Sequence, residues 1–325
     1  MLNVLIIGCG NIAGGFDAGR PGSVTPYTHA GAYTAHGGYR LAACVEPDAD
    51  RRFVFQQRWG VESAYAQLEE ACANDARYDV VSICSPTQFH ADDLRNVLAM
   101  KPALVFAEKP LTSSLEQSLT LAEHYREASI PLMVNYTRRW DLKVRELAEQ
   151  LASGEWGCVR SASGIYNKGL YNNGSHMLDL LTLLLGPLTV AAAGPGRADM
   201  WDADPSIPAL LLSADGIPVT LNCGHAADYS LFELELVTER GTVKMENGGL
   251  DWQFRRAGPS PTFAGYQALG VPEHQNGMLG GAALAAAHEI ATIVTKGGTP
   301  SCGPDEAVAV HKLCEAIRAA SRENS

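Results

Sequence analysis

Four features of this chain have the residue types and spacing to do chemistry: a glycine-spaced turn, a strand-end acid, a strand-end lysine and a histidine on a helix. The aliphatic run Val4-Leu5-Ile6-Ile7 leads into Gly8-Cys9-Gly10-Asn11-Ile12-Ala13, a G-x-G-x-x-A spacing. In such a turn Gly8 makes the tight bend and Gly10 lets the backbone approach a pyrophosphate. Ala13 is small enough for the next helix to pack on the strand, with its N-terminus toward the anion. A glycine-rich strand–turn–helix junction can also serve packing alone. Its place at the end of a strand with buried, parallel-type composition favours a nucleotide. Glu46 closes a second apolar run, Arg40 to Glu46, and lies 33 residues beyond Ala13. About 20 is usual for the acid that accepts hydrogen bonds from a ribose diol. A polar, proline-bearing insertion from Phe16 to Tyr27 accounts for the surplus. A solvated strand-end acid is the other reading.

Lys109 stands before Pro110 at the end of the run Ala103 to Ala107. A lysine there is ordinarily surface charge, but ligands of open parallel sheets bind at the carboxyl ends of strands. His176 is of the side-chain type best suited to acid/base work near neutrality, and it has Asp179 at i+3, on the same helical face. On its own it reads equally as a satisfied core histidine at a helix start. Tyr166-Asn167-Lys168-Gly169 just upstream suits hydroxyl recognition or an ordinary strand end. His29, ahead of the displaced helix, and His90 can border a cofactor.

The elements that must position these residues follow from periodicity. After the insertion a helix resumes near Thr28-His29-Ala30. Asp79 to Cys84, Ala103 to Ala107 and Pro131 to Asn135 read as buried strands. Ser113-x-x-Glu116 is a capping box for a helix with Leu115, Leu119 and Ala122 on one face. Alternating strands and helices predict a doubly wound parallel sheet over 1–137. From residue 138 the rhythm changes. Val144, Leu147, Ala148 and Leu151 mark a helix ended by Gly154, and Asp215-Gly216 is a two-residue hairpin signal. Phe232 to Leu236 alternates with period two. Two helices, near 282–294 and 304–320, complete an α+β domain over 138–325.

With 325 residues, 46% hydrophobic and 19% charged, the chain has globular composition, and a net charge of −11 argues against nucleic-acid or anionic-membrane partners. The longest apolar run, Met177 to Ala193, contains Asp179 and Pro187 and reads as a buried helix and strand rather than a membrane span. Eight scattered cysteines without a C-x-x-C pair suggest small buried hydrophobes, no metal site and a cytoplasmic compartment.

Together the fingerprint, Glu46-Pro47-Asp48, Ser85-Pro86-Thr87-Gln88-Phe89-His90, Glu108-Lys109-Pro110, Asn135-Tyr136-Thr137-Arg138-Arg139-Trp140 and Gly174-Ser175-His176-Met177-Leu178-Asp179 resemble the Gfo/Idh/MocA oxidoreductases over almost the whole chain. The resemblance implies a Rossmann domain followed by an α+β domain on an open, mainly antiparallel sheet. It implies NAD(P)-dependent hydride transfer on sugars, cyclitols or sugar nucleotides. Glu46 itself, followed by Pro47 rather than an arginine, would repel a 2′-phosphate and so favours NAD over NADP. The cofactor would be held by Gly8, Gly10, Asn11, Ile12, Ala13, Glu46, Ser85, Pro86, Thr87, His90, Glu108 and Lys109. Lys109, before a cis proline, would reach nicotinamide ribose and substrate, and His176 would be the acid/base. Asn172, Asp179, Arg139, Tyr166 and Lys168 would bind or orient substrate. Many members carry an aspartate four residues before the histidine, where this chain has Asn172; an amide orients a hydroxyl but takes no proton. Two rivals share the fold: a glycosidase using bound NAD with no net redox change, and a dinucleotide-binding regulator without turnover. A homodimer or homotetramer built through the second-domain sheet is also implied.

Overall fold

The computed structural model describes residues 1–20, 25–74 and 77–323. They form two compact units, 1–141 with 280–309, and 142–279 with 310–325. The first unit thus takes up a segment that a single boundary at 137 assigns to the second. The reason lies in the helix Ala282–Lys296. Its small buried residues Ala282, Ala286 and Ala287 permit close approach, and Tyr39 Oη donates to the Ala287 carbonyl at 2.5 Å. The buried Trp140 indole donates to Glu289 of the same helix at 3.1 Å.

In the first unit the order is β1 (Leu2–Ile7), α1 (His29–His36), β2 (Tyr39–Val45), α2 (Ala49–Trp59), β3 (Ser63–Tyr65), α3 (Leu68–Ala73), β4 (Val80–Ile83), α4 (Thr87–Met100), β5 (Leu104–Ala107), α5 (Leu115–Glu127) and β6 (Leu132–Val134). The strands form a parallel sheet ordered β3-β2-β1-β4-β5-β6. The order reverses between β1 and β4, where ligands of such sheets bind. Val4, Leu5, Ile6, Val80, Val81, Leu104 and Val105 are fully buried, as expected of strands covered on both faces. The α5 cap is Ser114, which accepts from Gln117 N–H, one residue beyond the expected Ser113–Glu116 box. The buried face is accordingly Ser118, Leu121, Ala122 and Tyr125, and Leu119 is exposed.

The second unit contains α6 (Leu142–Ala152), β7 (Val159–Tyr166), α7 (Ser175–Leu185), β8 (Leu188–Ala193), β9 (Arg197–Trp201), β10 (Asp204–Ser206), β11 (Ala209–Ser213), β12 (Pro218–Cys223), β13 (Phe232–Thr238), β14 (Gly241–Glu246), β15 (Asp251–Pro259), β16 (Gln267–Leu269) and β17 (Glu273–Asn276). The last two helices of the chain are α8, Ala282–Lys296, and α9, Pro304–Glu323, whose C-terminal part from Val310 belongs here. The sheet is ordered β16-β15-β14-β13-β7-β12-β11-β8, with β17 on β15, and is antiparallel except between β7 and β12. Phe232, Leu234 and Leu236 of β13 face inward while Glu235 and Val237 are exposed. The β11–β12 loop has three residues rather than two, because Ser213 and Ile217 still pair and Gly216 takes φ +76°. No helix among the described residues is long and apolar enough to cross a membrane.

One polar device shapes the first unit. After Gly10 the chain makes a single helical turn, with Gly14 N–H bonded to the Gly10 carbonyl at 3.2 Å, and then departs. It returns at α1, where His29 and Ala30 N–H groups bond the Ile12 and Ala13 carbonyls at 3.2 and 2.9 Å. The insertion therefore interrupts a helix rather than preceding one; its residues 21–24 lie outside the described residues. Buried Asp17 holds the return point, accepting from Tyr27 N–H, Thr28 N–H at 2.9 Å and Thr28 Oγ1 at 2.6 Å. Each hydrogen bond to a buried charge contributes about 1.5–3 kcal/mol, and orphaned partners add to the loss. Asp17→Ala is expected to lower the unfolding free energy by about 2–4 kcal/mol in urea titrations followed by tryptophan fluorescence. A change below about 0.5 kcal/mol, the size of an ordinary surface substitution, would show that the insertion is anchored elsewhere.

Candidate active site

At the carboxyl edge of the first sheet, Gly8 has φ +84°, and a Cβ there would lie 2.7 Å from the Ser85 backbone. Gly8 N–H bonds the Val45 carbonyl at 2.8 Å and Cys84 N–H bonds that of Ile7 at 2.7 Å, so β1, β2 and β4 converge on the turn. Gly10 differs. A Cβ there would meet no protein atom within 4 Å, so packing does not require its glycine, whereas close backbone approach by a phosphate does. The residues present fit a dinucleotide. A cavity of about 190 Å³ opens beside the turn, lined by Cys9, Gly10, Asn11, Gly14, Arg51, Arg58 and Trp59 among others. Ala13 is fully buried and Ile12 half-buried. Trp59 and Arg58 carry no motif, and only the folding of α2 beside the turn reveals them.

Glu46 is 5% exposed, so it is not a solvated acid. Its Oε2 accepts from Cys9 N–H at 3.0 Å and its Oε1 from Asp48 N–H at 3.1 Å, with Arg51 Nη1 at 3.3 Å. The strand-end acid is thus fastened to the fingerprint turn itself. Ser85 donates its hydroxyl to Asp93 at 2.5 Å, Pro86 is the N-cap position of α4, and Thr87 begins that helix. His90 is buried, and its ring nitrogens lie 2.8 and 2.9 Å from the Ser85 and Pro110 carbonyls. It therefore ties two loops of the site together instead of offering a nitrogen to a cofactor.

Lys109 follows β5 by two residues, and its bond to Pro110 is cis. Glu108 accepts from Asn135 Nδ2 at 2.7 Å, and His29 Nε2 lies 2.9 Å from the same oxygen. Burial pushes the Glu108 carboxyl up, but the His29 hydrogen bond and charge, Asn135 and Lys109 outweigh it and hold the group below the usual carboxylate range. Behind it, His29 Nδ1 is 3.2 Å from Ser82 Oγ, which lies 2.7 Å from Tyr33 Oη. His29 is the main residue that sequence reasoning undervalued; its only signal was its place ahead of the displaced helix. Arg139 is buried in this unit with Nη1 donating to the Ser301 carbonyl at 3.1 Å.

His176 lies in the second unit, in the first turn of α7, half-buried, with buried Asp179 one turn on. It is not at a bare helix start, because a π-helical segment, Gly169–Gly174, runs directly into α7. Such segments recur at functional sites. Two aspartates without any motif organise it. Asp204 accepts from Tyr171 and Asn172 N–H groups, both at 2.9 Å. Asp199 accepts from Lys168 N–H at 2.5 Å and Ser206 Oγ at 2.7 Å. Burial pushes Asp199 up, yet Ser206 and the Ala226 and Lys168 amides hold it below its ordinary value. Asn172 Nδ2 donates to the Lys168 carbonyl at 3.0 Å, bracing the segment. Lys168 has φ +68° and donates its ammonium to Ser230 Oγ at 2.8 Å. Tyr166 does not fit the substrate role expected of it. It is fully buried, its hydroxyl bonds both the Ile207 carbonyl and N–H, and its ring fills the space beside Gly174.

Residues 2–136 match the family described as GFO_IDH_MocA, an oxidoreductase family with an NAD-binding Rossmann fold. The chain is 34% identical over 131 residues to an inositol 2-dehydrogenase of Corynebacterium glutamicum, a match covering 40% of this chain and 38% of that protein. A D-glucoside 3-dehydrogenase of Escherichia coli is 23% identical over 283 residues, covering 77% and 69%. Among solved structures, the WlbA dehydrogenase of Bordetella pertussis, in complex with NADH and UDP-GlcNAcA, superposes with a TM-score of 0.78 at 16% identity, covering 100% and 97%. At that identity the likeness establishes the fold, including the arrangement of the second unit. The match to the Gfo/Idh/MocA oxidoreductase family thus lies in the Rossmann domain of residues 2–136, and the chain spans only 38% of the length of the inositol 2-dehydrogenase it matches.

Proposed function

We propose that this protein is an NAD-dependent dehydrogenase or reductase acting on a hydroxyl or ketone of a sugar, cyclitol or sugar nucleotide. The observation that carries the reading is the placement of Lys109 on the carboxyl edge of the same parallel sheet that carries the Gly8–Gly10 turn. Matched relatives named as inositol and glucoside dehydrogenases support the substrate class.

The Gly8–Ala13 turn, Glu46 and the Ser85–Thr87 loop would hold NAD, which supplies a hydride acceptor at nicotinamide C4. Oxidising an alcohol requires its hydroxyl proton to leave as the hydride does, so a base must stand within hydrogen-bond reach of that oxygen. We assign that role to His176 and to Lys109 the holding of the alcohol oxygen as negative charge develops on it. Asp179 would orient the imidazole. Asn172, whose amide is spent on the Lys168 carbonyl, would brace the segment rather than relay a proton. Arg139 and Lys168 are already bonded to Ser301 and Ser230, which supports orienting roles for them. Five buried cysteines, Cys9, Cys44, Cys84, Cys302 and Cys314, support a reducing, cytoplasmic setting.

Lys109→Ala and His176→Ala are each expected to lower kcat at least about a hundredfold, with the NAD Kd changing less than about tenfold. A screen of sugars, cyclitols and UDP-sugars by absorbance of reduced nicotinamide supplies the substrate. Near wild-type turnover by either variant would remove that residue from catalysis. Glu46 at the ribose position should repel a 2′-phosphate, so NAD should bind at least about tenfold more tightly than NADP, about 1.4 kcal/mol. Equal dissociation constants would assign Arg51 the dominant role at that edge. The exposed Leu210, Leu212 and Val237 on the open face of the second sheet support assembly into a dimer or tetramer. A monomeric mass by light scattering at micromolar concentration would refute it.

A further inference from the structure

We infer that His29 is a positioning residue for the Glu108–Lys109–Pro110 turn, acting through Glu108 and anchored by the insertion that interrupts the first helix. The inference rests on the proposed role of Lys109 in the reaction. Its grounds are all within the first unit. His29 is 3% exposed, and its ring leans on Phe106 of β5 with centroids 4.6 Å apart. One nitrogen is 2.9 Å from Glu108 Oε1 and the other 3.2 Å from Ser82 Oγ. The imidazole therefore bridges the end of β5 to the interior of β4.

The backbone of His29 is fixed as firmly as its side chain. Its N–H closes the interrupted helix on Ile12, and its neighbour Thr28 is held by Asp17 through backbone and hydroxyl. An unbroken path of hydrogen bonds and adjacent residues thus runs from Asp17 in the insertion through Thr28 and His29 to Glu108, the residue before Lys109. A histidine serving packing alone would need no carboxylate partner, and leucine would fill its volume comparably.

The charged and titratable groups facing Glu108 are His29 from α1, Lys109 from its own turn and Cys84 from the end of β4. Asn135 and Ser82 are the neutral partners in the cluster. Burial pushes the Cys84 thiol up, and Glu108 pushes it further, so that thiol contributes no charge at neutrality. Because the Glu108 carboxyl is held below its usual range, its stabilising contribution is complete above the unfolded value, about pH 4.3, and is lost as pH falls through the folded value. Removing His29 raises that folded value toward the unfolded one, which shrinks the stabilisation Glu108 contributes at neutral pH.

The test compares His29→Leu and His29→Gln with wild type, first in urea unfolding from about pH 3.5 to 8 and then in the pH profile of kcat with NAD and the substrate identified by the screen. In His29→Leu the deficit in stability relative to wild type is expected to be largest at neutral pH and to close as pH falls through the acid limb. Its kcat is expected to fall at least about tenfold while the KM for NAD changes less than about threefold. Glutamine keeps an N–H for Glu108 and should return kcat to within about threefold of wild type. A loss of stability that is equal at every pH, or an unchanged kcat profile in His29→Leu, marks a packing role and overturns the inference. Should the leucine variant not fold, Glu108→Gln decides together with its combination with His29→Gln, since a histidine acting through Glu108 leaves that combination no worse than Glu108→Gln alone. If no alcohol is turned over by wild type, the proposed function fails, while the acid limb of stability still decides whether His29 controls Glu108.

Discussion

Close backbone approach at Gly8 is the constraint on which the carboxyl edge of the first sheet depends. With φ +84° and the Ser85 backbone where a side chain would stand, this position accepts only hydrogen beyond Cα. Because Gly8 can bend there, β1 passes its hydrogen bonds to β2 on one side and β4 on the other. Glu46 then reaches the Cys9 amide, and the Ser85 loop lies close enough for His90 to tie it to Pro110. Loosening this approach would displace three strand ends at once, since packed interiors transmit small shifts rather than absorb them.

Around that edge the polar groups are buried and mutually satisfied, the condition under which such groups stabilise a structure instead of weakening it. Asp17, Glu46 and Glu108 are carboxylates taken out of water, and each accepts from backbone amides, a basic side chain or a side-chain amide. They share one use, the fixing of a chain reversal: the return from the insertion, the exit from β2 and the exit from β5. The second unit repeats this with Asp199 and Asp204, which fasten the π-helical segment ahead of His176. Rigid placement of loops by charged acceptors suits a site whose chemistry tolerates little displacement.

The insertion illustrates how an irregular sequence can preserve a regular fold. Extra chain leaves a helix after one turn and re-enters it at α1, so the sheet-facing residues Ala13 and Ala30 stay buried as they would in an uninterrupted helix. Where the chain re-enters at α1, His29 and Tyr33 lie over Ser82, and His29 also reaches Glu108.

Periodicity and the glycine spacing in the sequence determined the parallel sheet, five of its six strands, the cofactor turn and the order of the two domains, because burial on both faces demands unbroken aliphatic runs and tight turns demand glycine; β3, three half-buried residues, has no such run. The alternation in Phe232 to Leu236 likewise determined which face of β13 is buried. Tertiary structure alone decided the rest. It moved the α5 cap to Ser114, because capping depends on which hydroxyl meets an amide and not on the motif. It gave 280–309 to the first unit, because small alanines acquire meaning only against the surface they approach. It turned Tyr166 and His90 into buried braces and made His29 the partner of Glu108, since those hydrogen bonds join residues 5 to 79 positions apart in the chain. Sequence spacing carries information about neighbours along a helix or strand; a hydrogen bond between distant segments exists only once the sheet has brought their ends together.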